Sequence, residues 1–111
     1  MADDVTAFIV EVMEEARNLL YPDDAKLTLE DAERQPLAVL KRGWSLIPPQ
    51  AAQQDVVPHV LRVAPGATTQ DVMDRFSFVT VDGRRYEREW RNPLRTISSV
   101  WIAQVRQIGN V

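Results

Sequence analysis

The chain contains no cysteine, a single histidine and only four glycines among its 111 residues. Without cysteine, neither a disulfide framework nor a thiolate metal site can form. No apolar run reaches the roughly 18 residues that a membrane-spanning helix needs. Because residues 1–4 are acidic where a secretory signal peptide would be basic, we expect a soluble intracellular protein that does not bind membranes.

Residue types that perform catalysis are equally scarce. The one histidine, His59, lies between Pro58 and Val60 in a predicted strand, and a lone histidine is usually structural. The glycines stand singly, so they cannot build a phosphate-binding loop, and no serine lies in a glycine-flanked nucleophile elbow. No histidine or cysteine pair has zinc-ligand spacing. The sequence therefore predicts no catalytic residue, no metal site and no cofactor. Two carboxylates that are distant in the sequence can still meet in the fold and act as a catalytic pair. A small enzyme therefore stays among the function classes, as the least favoured one.

The length predicts one domain over residues 1–111, with a mainly helical part, 1–43, and a mainly β part, 44–111. Charge divides unevenly within a total of −3, because residues 1–33 hold ten acids against two bases. Residues 34–111 hold 11 bases against six acids. This pattern indicates either a solvated acidic helix beside an unrelated basic sheet, or complementary surfaces that meet between neighbouring copies.

An amphipathic helix is predicted over residues 5–20. Its apolar residues repeat every three or four positions, as on one stripe of a helix: Val5, Phe8, Ile9, Val12, Met13, Ala16, Leu19 and Leu20. Glu11, Glu14 and Glu15 lie off that stripe, and Tyr21-Pro22 ends the helix. Residues 23–43 favour a second short helix, either one from Leu29 that would meet Pro36 or one that begins at Pro36 and ends at Gly43. A strand from Leu37 to Ile47 is the alternative.

The remaining chain is typical of short strands joined by turns. We predict strands at Trp44–Ile47, Val56–Val63 and Ile97–Ile108, a loop over 48–54, a turn at 64–66, and one helical turn over Asp71–Asp74 capped by Thr68 or Thr69. The loop over 48–58 and the turn over 64–70 are either arms that become ordered on contact with a partner or simple connections.

Asp82-Gly83 is the strongest local signal, because it separates two alternating, aromatic-rich runs and therefore predicts a β-hairpin. A two-residue turn pairs Val79 with Tyr86 and Val81 with Arg84. Val79, Val81, Tyr86 and Trp90 then form one apolar face. Phe76 and Phe78 fall on a second face, which Glu87 and Glu89 cross. These two rings need a cover, either the first helix or a neighbouring subunit.

These elements predict an α+β fold, with an N-terminal amphipathic helix and room for a second short helix. They pack on a small twisted antiparallel β-sheet or partial barrel with a C-terminal β-hairpin. The expected partner interface combines aromatic and basic residues with an acidic counterpart: Phe76, Phe78, Arg84, Arg85, Arg88, Trp90 and Arg91, with Glu11, Glu14 and Glu15. Arginine with aromatic residues also binds single-stranded nucleic acid. Interleaved glutamates and the acidic total favour a protein partner instead.

Residues 56–108 resemble the small head–tail joining proteins of tailed bacteriophages, the connector or stopper class. The resemblance consists of a strand like Val57–Val63, a glycine turn followed by tyrosine like Val81–Tyr86, an Asn92-Pro93 connection, and a last strand like Val100–Val105. Trp90 departs from it, since an aliphatic residue is commoner there. The acidic opening helix departs from the short strand that begins many stoppers, although some head-completion proteins of these particles open with a helix. A helix followed by a small sheet also suits the tail-terminator proteins of the same particles.

The resemblance implies a homo-oligomeric ring at the neck of a virion, assembled in the host cytoplasm. One side would dock on the portal or adaptor and the other on the tail, with DNA passing through the bore and making non-specific contacts. Such a structural role needs no enzyme chemistry. A non-viral protein–protein interaction domain built on the same hairpin is the alternative from another class.

Overall fold

A computed structural model describes residues 21, 25–47 and 59–110, which form eight strands and one short helix. In chain order these are β1 Leu27–Glu30, β2 Pro36–Leu40, β3 Trp44–Ile47, β4 His59–Val63, α1 Gln70–Arg75, β5 Phe78–Val81, β6 Arg84–Arg88, β7 Arg95–Ile97 and β8 Val100–Asn110. None of the described residues belongs to a helix long and apolar enough to cross a membrane.

All eight strands belong to one antiparallel sheet with the order β2-β1-β5-β6-β8-β4-β3, and β7 pairs with the first part of β8. The sheet curves into a half-barrel. Each strand except β7 sends alternate side chains to the inner face, where they form one core. Its largest fully buried members are Trp44, Tyr86, Phe76, Leu27, Leu29, Leu46, Leu61 and Met73. Each such side chain contributes roughly 1.5–3 kcal/mol by burial, so the inner face stabilises the fold.

The α+β prediction is wrong for the described residues, because 54% of them lie in strands and the only helix among them is α1. The second short helix from Pro36 is a strand, β2. Pro36 is tolerated there because β2 ends the sheet and begins at this residue, so the missing N–H breaks no central ladder. The mainly helical description of residues 1–43 is therefore wrong over 25–43. The predicted helix over 5–20, with Glu11, Glu14 and Glu15, lies outside the described residues.

The hairpin and its register are confirmed. Val79 pairs with Tyr86 and Val81 with Arg84, as the two-residue turn requires. Asp82 and Gly83 have φ angles of 50° and 74°, which is the left-handed geometry of a type I′ turn. The β3 strand is also confirmed, as is the short helix, which runs slightly longer than predicted. The cap of α1 is Thr69, whose Oγ1 accepts the backbone N–H of Val72 at 3.3 Å.

The predicted closing strand divides into two strands, β7 and β8. They are joined at Ser98-Ser99, where φ is 51° and 69°. Serine pairs rarely adopt this geometry, so the turn gave no signal of the asparagine–glycine kind. The β4 strand is described from His59 onward, and the predicted loop over 48–54 lies outside the described residues.

Candidate partner-binding surface

The structure does not bring the residues of the predicted interface to one surface. Phe76 and Arg88 are buried within the chain, with 0% and 6% of their surface exposed. Arg84 and Arg85 are adjacent in β6 and therefore point to opposite faces of the sheet. Arg91 is exposed beyond the end of β6. Phe78 is half-buried, and the Arg34 guanidinium lies 4.8 Å from the centre of its ring.

Arg88 joins the inner face of the sheet to the end of α1. Its Nη1 donates to the carbonyl oxygens of Met73, Asp74 and Phe76 at 2.7, 3.3 and 3.2 Å. Carbonyls at the end of a helix have no partner within that helix, so the guanidinium satisfies them. Burial lowers the pKa of Arg88 and nearby Asp74 opposes this effect, yet arginine stays charged. The expectation that Arg88 belongs to an exposed cationic rim is therefore wrong.

The predicted position of Trp90 is also wrong. It was expected on the apolar face with Tyr86, but β6 ends at Arg88 and 58% of Trp90 is exposed. One side of its ring rests on the Arg88 guanidinium, 4.1 Å from the ring centre. The same guanidinium lies 4.5 Å from the centre of the Phe76 ring. An arginine of the same chain thus covers Phe76 and supports Trp90 from within.

Tyr21, His59, Arg84 and Tyr86 form a second cluster of titratable side chains on the inner face. Burial raises the pKa of Tyr21 above its ordinary value, and neighbouring Tyr86 adds to the rise while Arg84 opposes it. The Tyr86 hydroxyl is buried and makes no hydrogen bond of normal geometry within the described part of the chain. Burial, and then the charge of Arg84, lower the pKa of His59, whose ring lies 5.1 Å from that of Tyr86.

This cluster offers hydrogen-bond donors and aromatic rings, but no carboxylate to act as a partner for a base. Within residues 21, 25–47 and 59–110, no group of three histidine, cysteine or acidic side chains could hold a metal ion. Burial and the charge of Arg84 lower the pKa of His59 and so favour its neutral form, and its ring packs edge-on against the ring of Tyr86.

The outer face of the sheet carries a different arrangement. Ile102 of β8 pairs with Arg62 of β4 on one side and with Arg95 of β7 on the other. Paired residues point to the same face of a sheet, so two arginines flank Ile102 in one row. Both are exposed. Neither has an ion-pair partner in the described part of the chain, whereas Arg106 contacts Glu89 at 3.0 Å on the same face.

Next to the row of Arg62, Ile102 and Arg95, the same face carries a row of apolar residues. Ile97 pairs with Val100, which packs with Ala64 and Ile102 in a small cluster of its own. Ile97 leaves 52% of its surface exposed. A cleft of about 150 Å³ lies beside Ile102, lined by Asn92, Pro93, Arg95, Ile102 and Gln104. We call Arg62, Arg95, Ile97, Val100 and Ile102, with this cleft, the Ile102 surface.

Sequence reasoning missed the Ile102 surface, although it named most of the strands concerned. Side chains alternate between the two faces along β4, so Arg62 points away from the face that buries Leu61 and Val63. This alternation could have predicted an outward-facing Arg62. No local sequence pattern indicated that β8 pairs with both β4 and β7, because the order of strands depends on the whole sheet. The turn at Ser98-Ser99 hid β7, and so Arg95 and Ile97 could not be assigned a face.

The edge strand β2 is the second exposed feature. Its residues, Pro36–Leu40, carry no charge, and Val39 is 51% exposed. Among the described strands it pairs only with β1. Native proteins usually protect such an edge with charged side chains or proline, because its free N–H and C=O groups can pair with another chain. Pro36 protects the first position only.

Charge separates the described residues from the rest of the chain. The described residues carry 12 basic and eight acidic side chains, while the remainder carries one base and eight acids. The described residues taken together are therefore basic, although the whole chain is acidic. Comparison of the chain with protein-family models, with curated proteins and with solved structures gives no match.

Proposed function

We propose that this chain is a structural assembly protein of the head–tail junction of a tailed bacteriophage. Copies form a ring that links the portal or adaptor to the tail and lines the DNA passage. The observation that carries the proposal is the Ile102 surface, where the half-exposed Ile97 lies on one face with two exposed arginines that have no carboxylate partner among the described residues. The resemblance of residues 56–108 to head–tail joining proteins supports the same role.

A ring needs two different surfaces on each copy, because heterologous contacts close by rotation. Residues 1–33 are acidic and residues 34–111 are basic, and these opposite charges suit such a contact. Complementary potentials steer association and fix its orientation. Exposed arginines that face the bore would contact passing DNA without reading its sequence, and such contacts weaken as salt rises.

A tail-terminator protein of the same particle is the alternative within this class, since its helix followed by a small sheet depends on residues 5–20, which lie outside the described residues. A non-viral interaction domain is the second candidate. The β2 edge favours it, because an uncharged, half-exposed edge strand is suited to accept a strand from a partner.

Purification of the chain with the portal and tail proteins of its own virion tests the proposal. Light scattering after size exclusion, at low and high salt, should show an oligomer that docks on the portal ring and weakens with salt. Deletion of the gene should leave full heads and free tails unjoined. A monomer at every concentration, with and without portal and tail proteins, would refute the assembly role. Docking on a single unrelated partner through β2 would favour the second candidate.

A further inference from the structure

The Ile102 surface has the electrostatic character of a site for an anionic partner. Arg62 and Arg95 stand on either side of Ile102, two strand spacings or roughly 10 Å apart. That separation is close to the screening length of about 8 Å at physiological salt, so their potentials overlap above Ile102. Neither guanidinium meets a carboxylate of the described residues within ion-pair distance.

A small anion alone does not match this surface, because apolar groups stand beside the charges. Ile97 is more than half exposed, and the cleft beside Ile102 combines apolar and amide groups. A partner that satisfies both requirements brings carboxylates and apolar side chains together. An acidic amphipathic segment has this composition.

The chain itself contains such a segment. Residues 1–20 hold five acids against one base, and apolar residues recur among them at the spacing of a helical stripe. We propose that the Ile102 surface binds residues 1–20 of a second copy of this chain, with Glu11, Glu14 and Glu15 facing Arg62 and Arg95. The inference rests on the proposed function, in which neighbouring copies meet head to tail.

The position of Tyr21 favours a second copy over the same one. Tyr21 is buried on the inner side of the sheet, where its ring contacts Trp44 at 5.4 Å between ring centres. The Ile102 surface lies on the outer side. Residues 1–20 of the same copy would have to pass around an edge of the sheet to reach it, so we assign the segment to a second copy.

Charge reversal with a matched control tests the surface. Arg62→Glu with Arg95→Glu should weaken self-association of the full chain at least tenfold in sedimentation velocity, because it opposes acid to acid. Lys26→Glu with Arg42→Glu makes the same change in net charge at two exposed positions outside the surface, and should alter association by less than about twofold. Equal weakening by both pairs would overturn the proposal.

Complementation tests the segment and the copy to which it belongs. Glu11→Arg with Glu14→Arg should also abolish association when tested alone. An equimolar mixture of this variant with the Arg62→Glu, Arg95→Glu variant should associate again, since each surface then meets a segment of opposite charge. Circular dichroism should show both variants folded. If the mixture stays dissociated, the segment does not bind in trans and the proposal is wrong.

The outcomes separate this inference from the proposed function. A ring that docks on a portal and ignores both charge reversals would remove the inference and leave the function standing. Restored association in the mixture, without docking of the wild-type chain on portal or tail proteins, would leave the inference standing and remove the function.

Discussion

The two faces of the sheet use arginine in opposite ways. On the inner side, the Arg88 guanidinium donates to three carbonyl oxygens and lies between two aromatic rings. On the outer side, Arg62 and Arg95 are exposed and meet no described carboxylate. A buried charge costs several kcal/mol unless its hydrogen bonds are satisfied, while an exposed charge costs little when left unpaired. Burial therefore decides which arginines belong to the fold and which remain available to a partner.

Replacing Arg88 should have the largest effect on stability. Arg88→Met keeps much of the side-chain volume but leaves the carbonyls of Met73, Asp74 and Phe76 without their donor. Charged hydrogen bonds of this kind contribute about 1.5–3 kcal/mol, and loss of a buried charged partner costs more. We expect the free energy of unfolding to fall by about 3 kcal/mol in urea denaturation.

The same substitution on the outer face is the matched control. Arg62→Met should change the free energy of unfolding by less than about 0.5 kcal/mol, because surface substitutions rarely do more. A similar loss at both positions would mean that the outer arginines also stabilise the fold, and the contrast between the faces would disappear.

The hairpin at Asp82-Gly83 keeps the two faces distinct, since a slip of one residue would exchange their side chains. Gly83 has φ of 74° and open space around its missing Cβ. Gly83→Val should therefore destabilise through backbone strain and not through a clash, by about 2 kcal/mol. Thermal unfolding measures the loss. Asp82→Asn is the control, because asparagine tolerates the left-handed geometry, and it should leave the melting temperature nearly unchanged.

Prediction from the sequence succeeded where a signal was local. Asp82-Gly83 fixed the register of β5 with β6, and Thr69 before Gln70 marked the start of α1. It failed at Pro36, because proline can begin either a helix or an edge strand. Here the pairing of β2 with β1 decides for the strand. It also failed at Arg88, whose alternation with Tyr86 points inward, because charge suggested an exposed position. The order of strands in the sheet and the burial of Arg88 depend on contacts between residues distant in the sequence. Local sequence patterns do not reveal such contacts.

Trp90 combines features of both faces, since its side chain is exposed but one side of its ring contacts the buried Arg88 guanidinium. Trp90→Ala should lower the free energy of unfolding by about 0.5–1 kcal/mol, the contribution of an exposed cation–π contact. The neighbouring exposed residue provides the comparison, and Arg91→Ala should have a smaller effect in the same denaturation experiment. A loss at Trp90 as large as at Arg88 would show that the ring is part of the core.

His59 gives the smallest effect and tests whether water reaches the inner face beside Tyr86. Burial and the charge of Arg84 lower its pKa in the folded state, whereas the unfolded chain keeps a value near about 6.5. The unfolded state therefore binds more protons as the pH falls past about 6.5, so the free energy of unfolding should decrease there and level off below the folded-state pKa. The difference between the wild type and His59→Gln isolates this component from the carboxylates. Arg84→Met should reduce the slope without removing it, because burial is the larger cause. An identical pH dependence in wild type and His59→Gln would mean that water reaches the ring and that the inner face is open beside Tyr86.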